Sequence, residues 1–183
     1  MLTGLNLLVV RGAPGTGKTT IGSLFRRFAP KGVVIDIDDV RRMINGERFL
    51  YGENEHYQKA VGVVQGMVEY YISEGYAPVV VIDVFSANIH KLFWSKTYSG
   101  TCISATLYAR DAILIDRMSN RGKGYINLEV AARVNRHMHD TKGLTDIWID
   151  TTDLDPVNSF KLLIKSAKDA YLLKYGIGKL EGK

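Results

Sequence analysis

Five short runs along the chain are almost unbroken in apolar character: Asn6–Val10, Gly32–Ile37, Pro78–Val84, Thr101–Ala109 and Asp146–Ile149. Each is rich in Val and Ile and shorter than an ordinary helix, so each predicts a strand. A strand with one face in water alternates apolar and polar residues. These runs do not, which predicts a parallel sheet covered by helices on both faces. Between the runs the period changes. Asn54–Glu74 spaces Tyr57, Val61, Val64, Val68 and Tyr71 three to four residues apart and stops at Gly75, predicting an amphipathic helix with a glycine cap. Lys18–Phe28 predicts another. A last helix opens at Asp155-Pro156, a capping aspartate before a first-turn proline, with Phe160, Leu163, Ile164 and Ala167 on one face. Strands alternating with helices in this way predict a doubly wound α/β domain, whose ligands bind at the carboxyl ends of the strands.

The chemistry-bearing segments fall at those ends. After the first strand, Gly12, Ala13, Pro14, Gly15, Thr16, Gly17, Lys18 and Thr19, with Thr20 following, match G-x-x-x-x-G-K-[ST] in full. Glycines let the main chain curl so that its N–H groups point at phosphate oxygens, and the next helix turns its positive end to the same anion. Lys18 is expected to reach the β- and γ-phosphates of ATP, and the Thr19 hydroxyl to ligate Mg²⁺. The bland alternative is a chance glycine-rich turn, but a strand before the motif and a helix after it supply the context a phosphate loop needs.

The second strand runs into Asp36-Ile37-Asp38-Asp39, with Arg41 close behind. While the chain stays extended, Asp36 and Asp38 share a side of the strand. Asp38 is expected to take the proton of an attacking hydroxyl, and Asp36 to stand near the metal. The competing reading is that Asp38 or Asp39 only caps the following helix. A cap accounts for one aspartate, not three. The third strand ends at Asp83, a candidate for positioning substrate or the magnesium shell. Val84 stands where many motor-type ATPases carry a water-activating glutamate, and no Asn-Lys-x-Asp segment reads guanine; both favour a kinase.

Residues 110–124 bring Arg117 and Arg121, four apart on one helical face, before the glycine break Gly122-Lys123-Gly124. Arginines on such a lid, about 110–127, would close over the γ-phosphate and exclude water. A solvated basic face is the ordinary alternative. Phe93 and Trp94 read mainly as packing residues, His137 and His139 are too ill-matched on a helix to hold a metal, and Arg48 and Tyr51 with the 54–71 helix are expected to wall the acceptor pocket.

Composition narrows the class only modestly. The chain's 183 residues fit one domain spanning 1–183, with the tail 176–183 expected to fray. A net charge of +5 favours anionic ligands without identifying nucleic acid. The single cysteine, Cys102, lies in an apolar strand, so no disulfide forms within the chain, which suits a reducing cytoplasm. The apolar start lacks the cationic beginning and cleavage site of a signal peptide, and no run reaches the ~18 apolar residues of a membrane span. Oligomeric state is silent.

Together, the loop Gly12–Thr19, the Asp38-Asp39-x-Arg41 segment, Asp83 and Arg117-x-x-x-Arg121 resemble the kinase domain of phage-type polynucleotide 5′-hydroxyl kinases, in order and rough spacing over residues 5 to 140. That resemblance implies a three-layer P-loop NTPase fold, with a five-stranded parallel sheet and a small arginine-bearing lid. It implies Asp38 as general base, Arg41 as an acceptor contact, and Arg117 and Arg121 on the ATP phosphates. The Asp36-x-Asp38 pair is also similar to shikimate, gluconate and adenylylsulfate kinases, and the compact design to chloramphenicol phosphotransferase and zeta-toxin kinases. Ile149-Asp150-Thr151-Thr152 with Pro156 looks like the adenine-side loop of such kinases. The acceptor therefore divides between a polynucleotide 5′ end and a small molecule, and a regulatory ATPase with no acceptor is the rival class.

Overall fold

The computed structural model describes residues 2–45, 55–84, 100–120 and 127–176. Five strands, β1 (Leu7–Gly12), β2 (Val33–Asp36), β3 (Val79–Asp83), β4 (Cys102–Tyr108) and β5 (Ile147–Asp150), form one sheet in the order β2-β3-β1-β4-β5. Every pairing is parallel. The helices are α1 (Lys18–Phe28), α2 (Ile37–Asn45), α3 (Glu55–Ser73), α4 (Asp111–Ser119), α5 (Leu128–Asp140) and α6 (Pro156–Tyr175). The predicted α/β fold with a five-stranded parallel sheet is what forms.

The unbroken apolar runs are explained by a core on each face. Alternate residues Leu8 and Val10 join Val80, Ile82, Ile103 and Leu107 beneath α1 and α6, where Ile21, Phe25, Phe160 and Leu163 close the layer. The rings of Phe25 and Phe160 meet edge to face, 5.0 Å between centroids. Leu7 and Val9 point the other way, with Val79, Val81 and Ile35, against Val40 of α2 and Tyr57, Val61, Val64 and Val68 of α3. Cys102 is buried in β4, and desolvation pushes its thiol pKa up, so it is a packing residue. A third cluster joins Ala13 of the phosphate loop to Leu114 and Met118 of α4 and Ala131 of α5.

One sequence expectation fails. β2 stops at Asp36 and α2 begins at Ile37, so the chain is not extended through Asp38 and the shared parity of Asp36 and Asp38 does not apply. The reason is local: an Asp36 carboxylate oxygen accepts the Asp38 N–H at 3.0 Å, satisfying an amide the new helix leaves unpaired. Asp38 and Asp39 then lie in the first turn, where the helix dipole favours negative charge. The Asp155 cap behaves as expected, accepting from Asn158 N–H at 2.8 Å. No described helix is long and apolar enough to cross a membrane.

Candidate active site

The phosphate loop leaves β1 at Gly12, where there is no room for a side chain. A Cβ there would stand 2.6 Å from Thr16 Oγ1 and 2.7 Å from the Leu107 main-chain oxygen. Thr16 fastens the curl, its hydroxyl donating to Ala13 O at 2.8 Å. Gly17 then takes φ of 96°, a left-handed conformation that L side chains adopt at a cost, and starts α1 without any side-chain cap. The first-turn amides of α1 are therefore not bound by a capping side chain, which is the arrangement an anion requires. Lys18 Nζ lies over the loop and donates to Gly12 O at 2.7 Å and Ala13 O at 3.0 Å. Thr19 and Thr20 are exposed on the same turn.

Opposite this cradle, the ends of β2 and β3 and the start of α2 bring Asp36, Asp38 and Asp83 into one electrostatic neighbourhood. Burial raises the Asp36 pKa, with Asp38 adding to the rise and Lys18 opposing it. Asp83 is pushed up to about 7 by burial and then by Asp38, against hydrogen bonding from Tyr57 and the pull of Lys18. One ammonium thus acts on two carboxylates, and a third pushes on both. Thr19, Asp36 and Asp83 offer hard oxygen ligands, and Mg²⁺ in nucleotide sites takes only one or two from protein, with phosphates and water completing its shell. Among the described residues, no group of three or more His, Cys, Asp or Glu is arranged to hold a metal by itself.

Arg41 is nearly buried, its Nη1 3.4 Å from an Asp38 oxygen and its guanidinium 4.8 Å above the Tyr57 ring centroid. The Tyr57 hydroxyl donates to Asp83 Oδ2. The spacing that placed Tyr57 on the apolar face of α3 gave no sign of this hydroxyl contact, since Tyr and Phe serve that face equally.

Arg117 sits on α4, and its guanidinium is engaged with the loop after β5. It donates to Thr151 Oγ1 at 3.0 Å and to the Thr151 carbonyl at 2.6 Å, with Thr152 O and Leu154 O at 3.4 and 3.5 Å. The Thr151 hydroxyl also lies 3.4 Å from Thr16 O, so this loop touches the phosphate loop. Arg110 braces the same loop through Asp153 at 2.8 Å. Arg121, Gly122, Lys123, Gly124, Arg48, Tyr51, Phe93 and Trp94 lie outside the described residues, as does the tail from 177.

Arg11 lies just past the apolar run Asn6–Val10, and apolar spacing assigns it no role. It is wholly buried one residue before the loop, its Nε donating to Thr106 Oγ1 at 2.8 Å and its Nη2 to Thr141 O at 2.7 Å. Thr141 caps the carboxyl end of α5, whose dipole favours a cation. Burial lowers the Arg11 pKa to about 10, which still leaves it charged at neutral pH. A cation in the penultimate position of an otherwise apolar strand is the signal the sequence carries.

No protein-family model matches the sequence, and no curated protein matches it significantly. Solved structures do match. A tunicamycin resistance protein from Deinococcus radiodurans is 15% identical with a TM-score of 0.67, over 88% of this chain and 94% of that one. A gluconokinase from Sinorhizobium meliloti 1021 is 15% identical with a TM-score of 0.65, over 93% of each chain. A chain of the Pnkp1/Rnl/Hen1 RNA repair complex is 18% identical with a TM-score of 0.63, but 76% of this chain matches only 45% of that longer one. At this identity the likeness is one of fold: the chain is built on the same sheet and helix arrangement as these proteins.

Proposed function

We propose that the chain is an ATP-dependent phosphotransferase that moves the γ-phosphate of ATP to a hydroxyl acceptor. The observation that carries this reading is the Lys18 ammonium seated on a glycine cradle that no side chain caps, with Asp36 and Asp83 at the carboxyl ends of β2 and β3. Main-chain amides of residues 12–19 bind the β- and γ-phosphates, and Lys18 exchanges its carbonyl partners for phosphate oxygens. Thr19 and Asp36 hold the metal side; Mg²⁺, when bound, neutralises charge on the phosphates. Asp38, one-third exposed, accepts the acceptor's proton while Arg41 orients the acceptor. Arg117 and Arg121 shield the transferring group. In the case of Arg117 this requires giving up the Thr151 and Thr152 carbonyls, to which a closing lid offers phosphate oxygens in exchange.

The acceptor is a small molecule or a polynucleotide 5′ end, since the fold is shared with a gluconokinase and with a chain of an RNA repair complex. The buried, reduced Cys102 fits a cytoplasmic setting, and residues 1–183 fit one catalytic domain. The test is incubation with γ-labelled ATP and Mg²⁺ beside a panel of sugars, alcohols, antibiotics and a 5′-hydroxyl oligonucleotide. Label on an acceptor supports the reading. ATP turnover that is raised by a partner protein and labels nothing supports a regulatory ATPase instead.

A further inference from the structure

Tyr57 is 4% exposed and sits where α2, α3 and β3 converge. Its ring packs among Val61, Val64 and Val40, a task phenylalanine performs equally well. The hydroxyl needs another explanation, because burying it is costly unless it finds an acceptor. It finds Asp83, whose own burial calls for donors. On the face of the same ring lies the Arg41 guanidinium, and Arg41 reaches Asp38. One side chain therefore touches two of the charged groups assigned to the acceptor half and lies one contact from the third.

We propose that Tyr57 is a positioning residue for phosphoryl transfer, its ring setting Arg41 beside Asp38 and its hydroxyl fixing the Asp83 carboxylate. The proposal rests on the phosphotransfer reading and deepens it. The two functions of the side chain separate chemically. Removing the hydroxyl frees the Asp83 carboxylate to turn but leaves the cation on its ring. Removing the ring releases Arg41 as well. Neither change reaches the glycine cradle, so ATP affinity stays constant.

The test compares wild type, Tyr57→Phe and Tyr57→Leu, each purified as the full chain and assayed well below its melting temperature. With the acceptor that the γ-labelled panel identifies, Tyr57→Phe lowers kcat about tenfold or more, the size expected for losing a hydrogen bond to a charged group, and leaves the acceptor KM within about twofold. Tyr57→Leu lowers kcat by at least as much and raises the acceptor KM about threefold or more through loss of the cation–π contact. Both bind ATP as wild type does. A purely structural tyrosine lowers the melting temperature in both variants and leaves kcat and KM unmoved, and that result overturns the proposal. So does an acceptor KM that rises equally in both variants. A wild-type chain that labels no acceptor overturns the phosphotransfer reading and this proposal with it, whereas active wild type with unaltered variants overturns this proposal alone.

Discussion

The phosphate loop and the cluster proposed as the acceptor half both lie at the carboxyl edge of one sheet, yet they are made of different material. The cradle is main chain: residues 12–17 curl within one loop, held by Thr16 on Ala13 and by the absence of a side chain at Gly12. The acceptor half is side chain, drawn from β2, α2, α3 and β3, with Asp36, Asp38, Arg41, Tyr57 and Asp83 holding one another. A main-chain cradle depends on few residue identities and reads the feature every nucleoside triphosphate shares. A side-chain network changes with each substitution. This is the arrangement expected if donor binding stays fixed while acceptor choice varies.

The most damaging way to break the cradle is to fill it. Gly12→Val puts side-chain atoms against the Leu107 carbonyl, which is backbone and cannot swing aside. The loop must shift to relieve the clash, and a displacement that costs binding about 1.4 kcal/mol or more lowers nucleotide affinity at least about tenfold, read by titration with a fluorescent ATP analogue. An unchanged dissociation constant would mean the loop is not the cradle.

The acidic cluster is expected to respond to pH through Asp83. Asp83 is raised from an ordinary 3.8 to about 7 in the folded chain, so the folded state holds this proton more tightly than the unfolded one. Its stabilising contribution is full below the ordinary value and is lost as pH rises towards 7. Asp83→Asn removes that titration. Melting curves should show wild type losing a few degrees relative to Asp83→Asn between about pH 4 and pH 7. A difference that stays constant with pH contradicts the account.

The smallest effect belongs to a site outside both halves. Asp155→Ala removes the cap of α6 and should cost about 1 kcal/mol in chemical denaturation while leaving ATP affinity unaltered. A matching loss of affinity would tie α6 to the cradle.

The same contrast explains what was legible in the sequence. The strands, α1, α3 and α6 are written in local apolar spacing, and the cradle in one contiguous motif, because each depends on neighbours along the chain. The bend at Ile37 was hidden, since Asp36 serves both as the last strand residue and as the cap of α2, and parity along an extended strand cannot register a helix start. Tyr57 and Arg11 were hidden for a second reason: their partners, Asp83 and Thr141, lie 26 and 130 positions away. Periodicity tells which side of an element is buried. It is silent on which buried group carries a hydrogen bond. Arg117 illustrates the limit: it lies on a helix, as its spacing predicts, but is engaged with carbonyls at Thr151 and Thr152 that no spacing rule connects to it.

The proposed transfer requires the Asp38 carboxylate to take a proton from an alcohol held beside bound ATP. The most direct measurement is single-turnover transfer from γ-labelled ATP by Asp38→Ala, with ATP binding measured on the same sample. The prediction is a loss of transfer of about a hundredfold or more with the ATP dissociation constant nearly unchanged. Transfer at the wild-type rate would contradict it.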